Sequence, residues 1–165
     1  MSNQKKEKHT ISVLVNDEPG ALARVIGLFS GRGYNIDSLT VAPVNLSKKY
    51  SRIIIVTYGT KLIIEQIIHS LERLIQVKKV IDLTFNNSTD ERELALVKIK
   101  IKKNKNHLLK KIIKSFKAKL IYKNSDKYIF EITNSPDIIN SFIIELNKIS
   151  IIDVSRTGLI AILKN

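Results

Sequence analysis

The stretch NDEPGALARVIGLFSGRGYNIDSLTVAP, residues 16–43, decides the fold. It follows a short β-branched run at 10–15 and joins a turn, an amphipathic helix and the start of a second strand. Leu22, Val25, Ile26 and Phe29 recur at the spacing of one helical face. Ahead of them, Asp17 and Glu18 precede Pro19 and Gly20. Proline suits a first helical turn because no N–H is needed there, and glycine lets a ligand approach the unpaired amides. Those amides favour a carboxylate. Gly31 and Gly33 are expected to stop the helix, since glycine takes left-handed torsions without steric cost. Tyr34-Asn35-Ile36 then opens the next strand, which places Asn35 near the same edge as the turn. The segment reads as a small-molecule sensor.

Outward from this stretch, the first half predicts strands at 10–15, 35–42, 52–58 and 77–83 and helices at 20–30 and 62–74. This is the ferredoxin-like βαββαβ order. Ile64, Ile67, Ile68, Leu71 and Ile75 form the expected buried stripe of the second helix, with Glu65, His69, Glu72 and Arg73 toward water. Residues 86–90 read as a polar linker. The second half repeats the same grammar through ELALVKIKI, NHLLKKIIKSFK, AKLIY, KYIFEIT, PDIINSFIIELNKI and IIDVSRTGLIAIL. Pro136 and Asp137 mark a helix start, where a missing N–H is tolerated and negative charge is favoured. The halves differ in sequence, and the ligand-ready turn is absent from the second. The fold class is therefore α+β, two ferredoxin-like βαββαβ domains spanning 1–85 and 86–165.

The 165 residues are 44% apolar, enough for two small packed cores. There is no cysteine, so disulfide and thiolate-metal frameworks are excluded, and the three histidines are scattered. The basic N-terminus leads into a short strand, and no apolar run approaches the length of a membrane span. A cytoplasmic protein is expected, bacterial or organelle-encoded, because the abundance of Lys, Ile and Asn matches an AT-rich genome. The net charge is +13, divided as +5 over residues 1–85 and +8 over 86–165. Much of the excess lies in KIKIKKNKN and LLKKIIKSFKAK, where lysines alternate or recur among apolar residues as on solvated faces.

A nucleic-acid module is the competing class, because RNA-recognition domains share the βαββαβ order. Such domains stack bases on aromatics of their central strands, whereas HTISVLV and RIIIVTY offer only a strand-end tyrosine. A catalytic reading also lacks support: there is no nucleophile elbow, phosphate loop, metal cluster or thiamine-binding pattern. His9, His69 and His107 have no acid at catalytic spacing and read as surface residues. Gly27 costs about 1 kcal/mol relative to alanine inside a helix, which suggests close helix packing there. Arg24 and Arg32 are candidates for contact with a partner subunit.

HTISVLV, RGYNIDSLTVAP, SRIIIVTYG, KVIDLT, ERELALVKI and DVSRTGLIAIL together closely resemble the small regulatory subunit of acetolactate synthase. Its N-terminal half is an ACT domain. ERELALVK and SRTG are the most specific segments, because generic ACT domains lack them. The resemblance implies a subunit with no catalytic site of its own, which activates a large catalytic subunit and mediates feedback inhibition by valine or a related branched-chain amino acid. It also implies a homodimer, and an effector pocket between two ACT domains. Asp17, Glu18, Pro19, Gly20, Ala21 and Leu22 match the turn on one side, Asn35 lies on the other, and Ile36 is a candidate for the apolar lining. Many members carry Asn at the position of Asp17. A carboxylate there attracts an ammonium but repels the ligand's own carboxylate. Thiamine diphosphate, magnesium and FAD are implied for the large subunit, and no cofactor for this chain. No nucleic-acid or membrane partner is implied.

Overall fold

A computed structural model describes residues 6–45, 47, 49–84, 89–101 and 105–164. The chain divides into two compact units, Met1–Asp90 with Leu159–Asn165, and Glu91–Gly158. The last segment thus belongs with the first unit, although the repeat of the βαββαβ pattern put all of 86–165 in one domain. Residues 86–88 of the expected linker lie outside the described residues, and the strand that follows already includes Thr89 and Asp90.

The first unit runs β1 (Glu7–Asn16), α1 (Ala21–Gly31), β2 (Ser38–Asn45), β3 (Tyr50–Gly59), α2 (Lys61–Glu72) and β4 (Val77–Asp82). Its antiparallel sheet has the order β2-β3-β1-β4, which leaves β2 at an edge. Alternate residues of the central strands, Ile11, Val13 and Val15 with Ile53 and Ile55, meet Ala21, Val25 and Phe29 of α1 and Ile64, Ile67 and Leu71 of α2. Removing each large apolar side chain from water contributes about 1.5–3 kcal/mol, so this cluster carries the unit.

The intervening residues Ile54 and Val56 are buried too, on the other face, with Leu83, Leu159 and Ala161. Hence β3 reads as an unbroken apolar run, not an alternating one. Leu159 and Ala161 belong to or adjoin β9 (Ile160–Leu163), and the Leu159 N–H donates to Ser38 Oγ at 3.2 Å. The Ile54 face of the first sheet is therefore covered by residues that lie at the far end of the sequence.

Several sequence expectations shift. Helix α1 buries Ala21, Val25 and Phe29, a strict i, i+4, i+8 row, so Leu22 falls off the stripe at 37% exposure. Gly31 is the last helical residue, and Gly33 alone of the two takes a left-handed φ, 69°. Gly27 is exposed and a Cβ there would meet nothing within 4 Å, so no helix packing among the described residues accounts for it. Helix α2 ends at Glu72, which leaves Ile75 in the following turn at 87% exposure instead of on the buried stripe. His9 is not a surface residue: it is 2% exposed, and its Nδ1 lies 2.8 Å from Asp82 Oδ2. His69 and His107 are exposed, as read.

The second unit follows the same order: β5 (Thr89–Lys100), α3 (Asn106–Phe116), β6 (Lys119–Asn124), β7 (Lys127–Asn134), α4 (Pro136–Asn147) and β8 (Ile151–Arg156). Its strands run β6-β7-β5-β8. Ala95, Val97 and Ile99 pack with Leu109, Ile112, Phe130, Ile132, Ile139, Phe142 and Leu146. Pro136 opens α4 with Asp137 in its first turn, and Lys110, Lys111 and Lys114 lie on the solvated side of α3. The final run is not one strand. Gly158, at φ 81°, breaks it after Arg156, a turn that favours glycine.

Candidate functional site

The turn after β1 is built from backbone bonds that leave a helix end open. Asp17 N–H donates to the Lys49 carbonyl at 2.7 Å, Glu18 N–H to Asn16 at 3.1 Å, and Ala21 N–H to Glu18 at 3.2 Å. Gly20 caps α1 with φ 84° and ψ −9°, and no side chain caps the helix. Pro19 therefore sits in the turn, two residues before the first helical one, and not inside the first turn. The first helical bond is Arg24 N–H to the Gly20 carbonyl at 3.0 Å. The N–H groups of Leu22 and Ala23 have no partner among the described residues. Open helix amides of this kind donate to carboxylates.

Asp17, Glu18, Pro19 and Gly20 are exposed, Ala21 is buried in the core, and Leu22 stands partly out of it. The Asp17 carboxylate is not free to swing over the helix end. Its Oδ1 accepts a hydrogen bond from Ser51 Oγ at 3.0 Å, and Ser51 is buried on β3.

Asn35 occupies the loop between Gly33 and β2. Its Nδ2 donates to Asp37 Oδ1 at 2.6 Å, and its carbonyl accepts from Thr57 Oγ1 at 2.6 Å. Thus the side chain is exposed and the backbone is held from β3. Ile36 is half-buried and packs on the first unit's core.

Asn35 is not at the same edge as the turn. Asp17 is tied to Ser51 and Asn35 to Thr57, six residues apart on one strand, a separation of about 20 Å at the rise of an extended chain. The cause is α1 itself, whose 11 residues carry the chain about 16 Å along the sheet between the two loops. Within one copy the two halves of the expected site lie at opposite ends of the sheet.

Ser51 and Thr57 were missed in the sequence, although a signal exists. They bracket RIIIV on the face of β3 that otherwise buries Ile53 and Ile55, so two hydroxyls stand where the period calls for apolar residues. Arg32, a candidate partner contact, donates to Ser70 Oγ at 2.8 Å, and Arg24 is exposed. A surface hollow of about 370 Å³ lined by Arg32, Gln66, His69, Ser70 and Arg73 includes none of the expected site residues. No group of three or more His, Cys, Asp or Glu among the described residues could hold a metal. No helix among them is long and apolar enough to cross a membrane.

A family model described as the AHAS small subunit-like ACT domain matches residues 11–79, and one described as the small subunit of acetolactate synthase matches residues 92–165. The probable acetolactate synthase small subunit of Archaeoglobus fulgidus is 38% identical over 157 residues, 95% of this chain and 97% of its own. That of Buchnera aphidicola subsp. Schizaphis graminum is 39% identical over 156 residues, 94% of this chain and 98% of its own. The crystal structure of the acetolactate synthase small subunit from Thermotoga maritima matches with a TM-score of 0.87 and 31% identity, covering 96% of this chain and 98% of that one. Both ferredoxin-like units, the first of them an ACT domain, thus fall within one set of relatives, and the chain belongs to the acetolactate synthase small-subunit family.

Proposed function

We propose that this chain is a non-catalytic regulatory subunit that raises the activity of an acetolactate synthase large subunit and makes it sensitive to a branched-chain amino acid, valine foremost. The observation that carries this reading is the open amide end of α1 at Gly20, set in a chain matched through both units by acetolactate synthase small subunits. In this reading the large subunit holds thiamine diphosphate, magnesium and FAD. It joins two pyruvates into 2-acetolactate with loss of CO2, a step of valine, leucine and isoleucine synthesis. The chain works with it in the cytoplasm.

The effector site needs a second copy, because each copy offers only one half at each end of its sheet. Edge strand β2 supplies the route. Antiparallel pairing of two β2 edges sets the start of one against the end of the other, and β2 ends where the turn begins, since Asn45 and Asn16 both face Tyr50. Such a dimer brings Asn35 of one copy toward Gly20 of the other. The ligand carboxylate then meets the amides of Leu22 and Ala23. Its ammonium meets the Asn35 amide oxygen, which stays an acceptor while one of the two Nδ2 hydrogens goes to Asp37. Ligand bound across the dimer inhibits only by preferring the less active arrangement of the complex.

Reconstitution tests the reading. The chain alone should form no acetolactate, should raise the rate of its large subunit, and should make that rate fall with added valine. No change in the large subunit's rate at saturating chain would refute it.

A further inference from the structure

We propose that Thr57 is a positioning residue for the effector site, holding Asn35 at its working place through the backbone; this rests on the effector reading given above. Thr57 lies in β3 at 1% exposure, on the face that buries Ile53 and Ile55. A hydroxyl buried there is costly unless it is bonded. Its bond goes to a single acceptor, the Asn35 carbonyl, at 2.6 Å.

Among the described residues, the loop that carries Asn35 is also tied by Tyr34 N–H to the Phe29 carbonyl at 3.0 Å and Asp37 N–H to the Val56 carbonyl at 2.8 Å. Both flank Asn35, and neither fixes its own peptide. The Asn35–Asp37 side-chain bond is exposed and lies within the loop, so it moves with the loop. Thr57 therefore supplies the direct link from Asn35 to the rigid sheet. The neighbour of Thr57 across the ladder is the buried His9, whose ring is engaged by Asp82 at 2.8 Å.

Replacing the hydroxyl by a methyl keeps the shape of the side chain and leaves the Asn35 carbonyl without its partner. The Asn35 amide then samples several orientations, and the ligand must order it again on binding. Thr57→Val in the full-length chain should weaken binding of valine, leucine and isoleucine about tenfold by calorimetric titration, a loss in the range of one hydrogen bond. Thr57→Ser, which keeps the donor, should stay within about threefold of wild type. A role in packing alone predicts the opposite order, because serine loses a methyl and valine loses none.

Thermal melting accompanies each titration. If Thr57→Val melts far below wild type, Thr57→Ala removes the donor without setting a methyl against the Asn35 carbonyl, and the same weakening is expected. Amino-acid binding by wild type with unchanged affinity in the valine and alanine variants would overturn the positioning role alone. Serine and valine variants that weaken equally would overturn it as well. A wild-type chain that binds none of the three amino acids would overturn both this role and the effector reading beneath it.

Discussion

Arg156 closes a two-pronged ion pair on Glu93, Nε to Oε1 at 2.8 Å and Nη2 to Oε2 at 2.5 Å, while its Nη1 reaches Asn140 Oδ1 at 2.8 Å. The segments ERELALVK and SRTG therefore meet in space. Thr157 completes the junction, since its N–H donates to the Leu94 carbonyl at 3.0 Å and its Oγ1 accepts from Leu94 N–H at 3.1 Å. The Glu93 side chain is 5% exposed, so removal of its partner leaves a buried charge uncompensated.

Arg156→Ala should accordingly destabilise the second unit by about 3 kcal/mol, the usual cost of breaking a buried pair from one side. The double variant Glu93→Leu with Arg156→Met should recover most of that loss. Urea unfolding followed by hydrogen exchange in β5 and β8 measures both. Equal stability of the single and double variants would count against a desolvated pair.

Leu159, at 3% exposure, packs on Ile54, Val56 and Leu83 of the first unit. Leu159→Ala should cost about 2–5 kcal/mol, as for buried leucines in general, and the loss should appear in the amides of β3, about a hundred residues away in the sequence. A fragment ending at residue 85 lacks this cover and should aggregate or melt early. Hydrogen exchange confined to the second unit in Leu159→Ala would contradict the assignment.

Gly20→Asp and Asn35→Ala should each abolish inhibition by the amino-acid effector while the large subunit is still stimulated. Gly20→Asp puts a carboxylate beside the helix amides that the proposed ligand's carboxylate would take. It also forces a side chain onto φ 84°, which should lower stability by about 1 kcal/mol. The Asn35 amide is bonded at the surface, so Asn35→Ala should change stability by no more than about 0.5 kcal/mol. Inhibition curves of the reconstituted enzyme decide the matter. Full inhibition in both variants would mean that the turn is only structural.

A charge on the exposed side of β2 should break the proposed dimer. Val41 and Val44 are 40% and 49% exposed on this edge strand, and Val41→Glu with Val44→Glu places two carboxylates from each copy along the shared edge. Light scattering at tens of micromolar should give a dimer for the wild-type chain and a monomer for the variant. A dimeric variant that still binds valine would move the interface away from β2.

The sequence by itself determined the two βαββαβ units, because helical and strand periods are local and each hydrophobic face announces its own element. The turn at Asp17–Gly20 was legible for the same reason: proline and glycine act on the backbone where they stand. Family membership was legible in segments spread along the chain. Distance in space was not. The sequence puts Asn35 only 18 positions after Asp17, yet the straight length of α1 sets them at opposite ends of the sheet. Long-range partnership was equally hidden. His9 reads as a surface residue until Asp82, 73 positions on, is brought beside it, and Leu159 reads as part of the last strand until Gly158 turns the chain back to Ile54 and Val56. The buried hydroxyls of Ser51 and Thr57 hold the turn after β1 and the Asn35 loop. Their partners were settled only by the tertiary structure, because a hydrogen bond between distant segments depends on the packing that places donor and acceptor within 3 Å, and no local period encodes it.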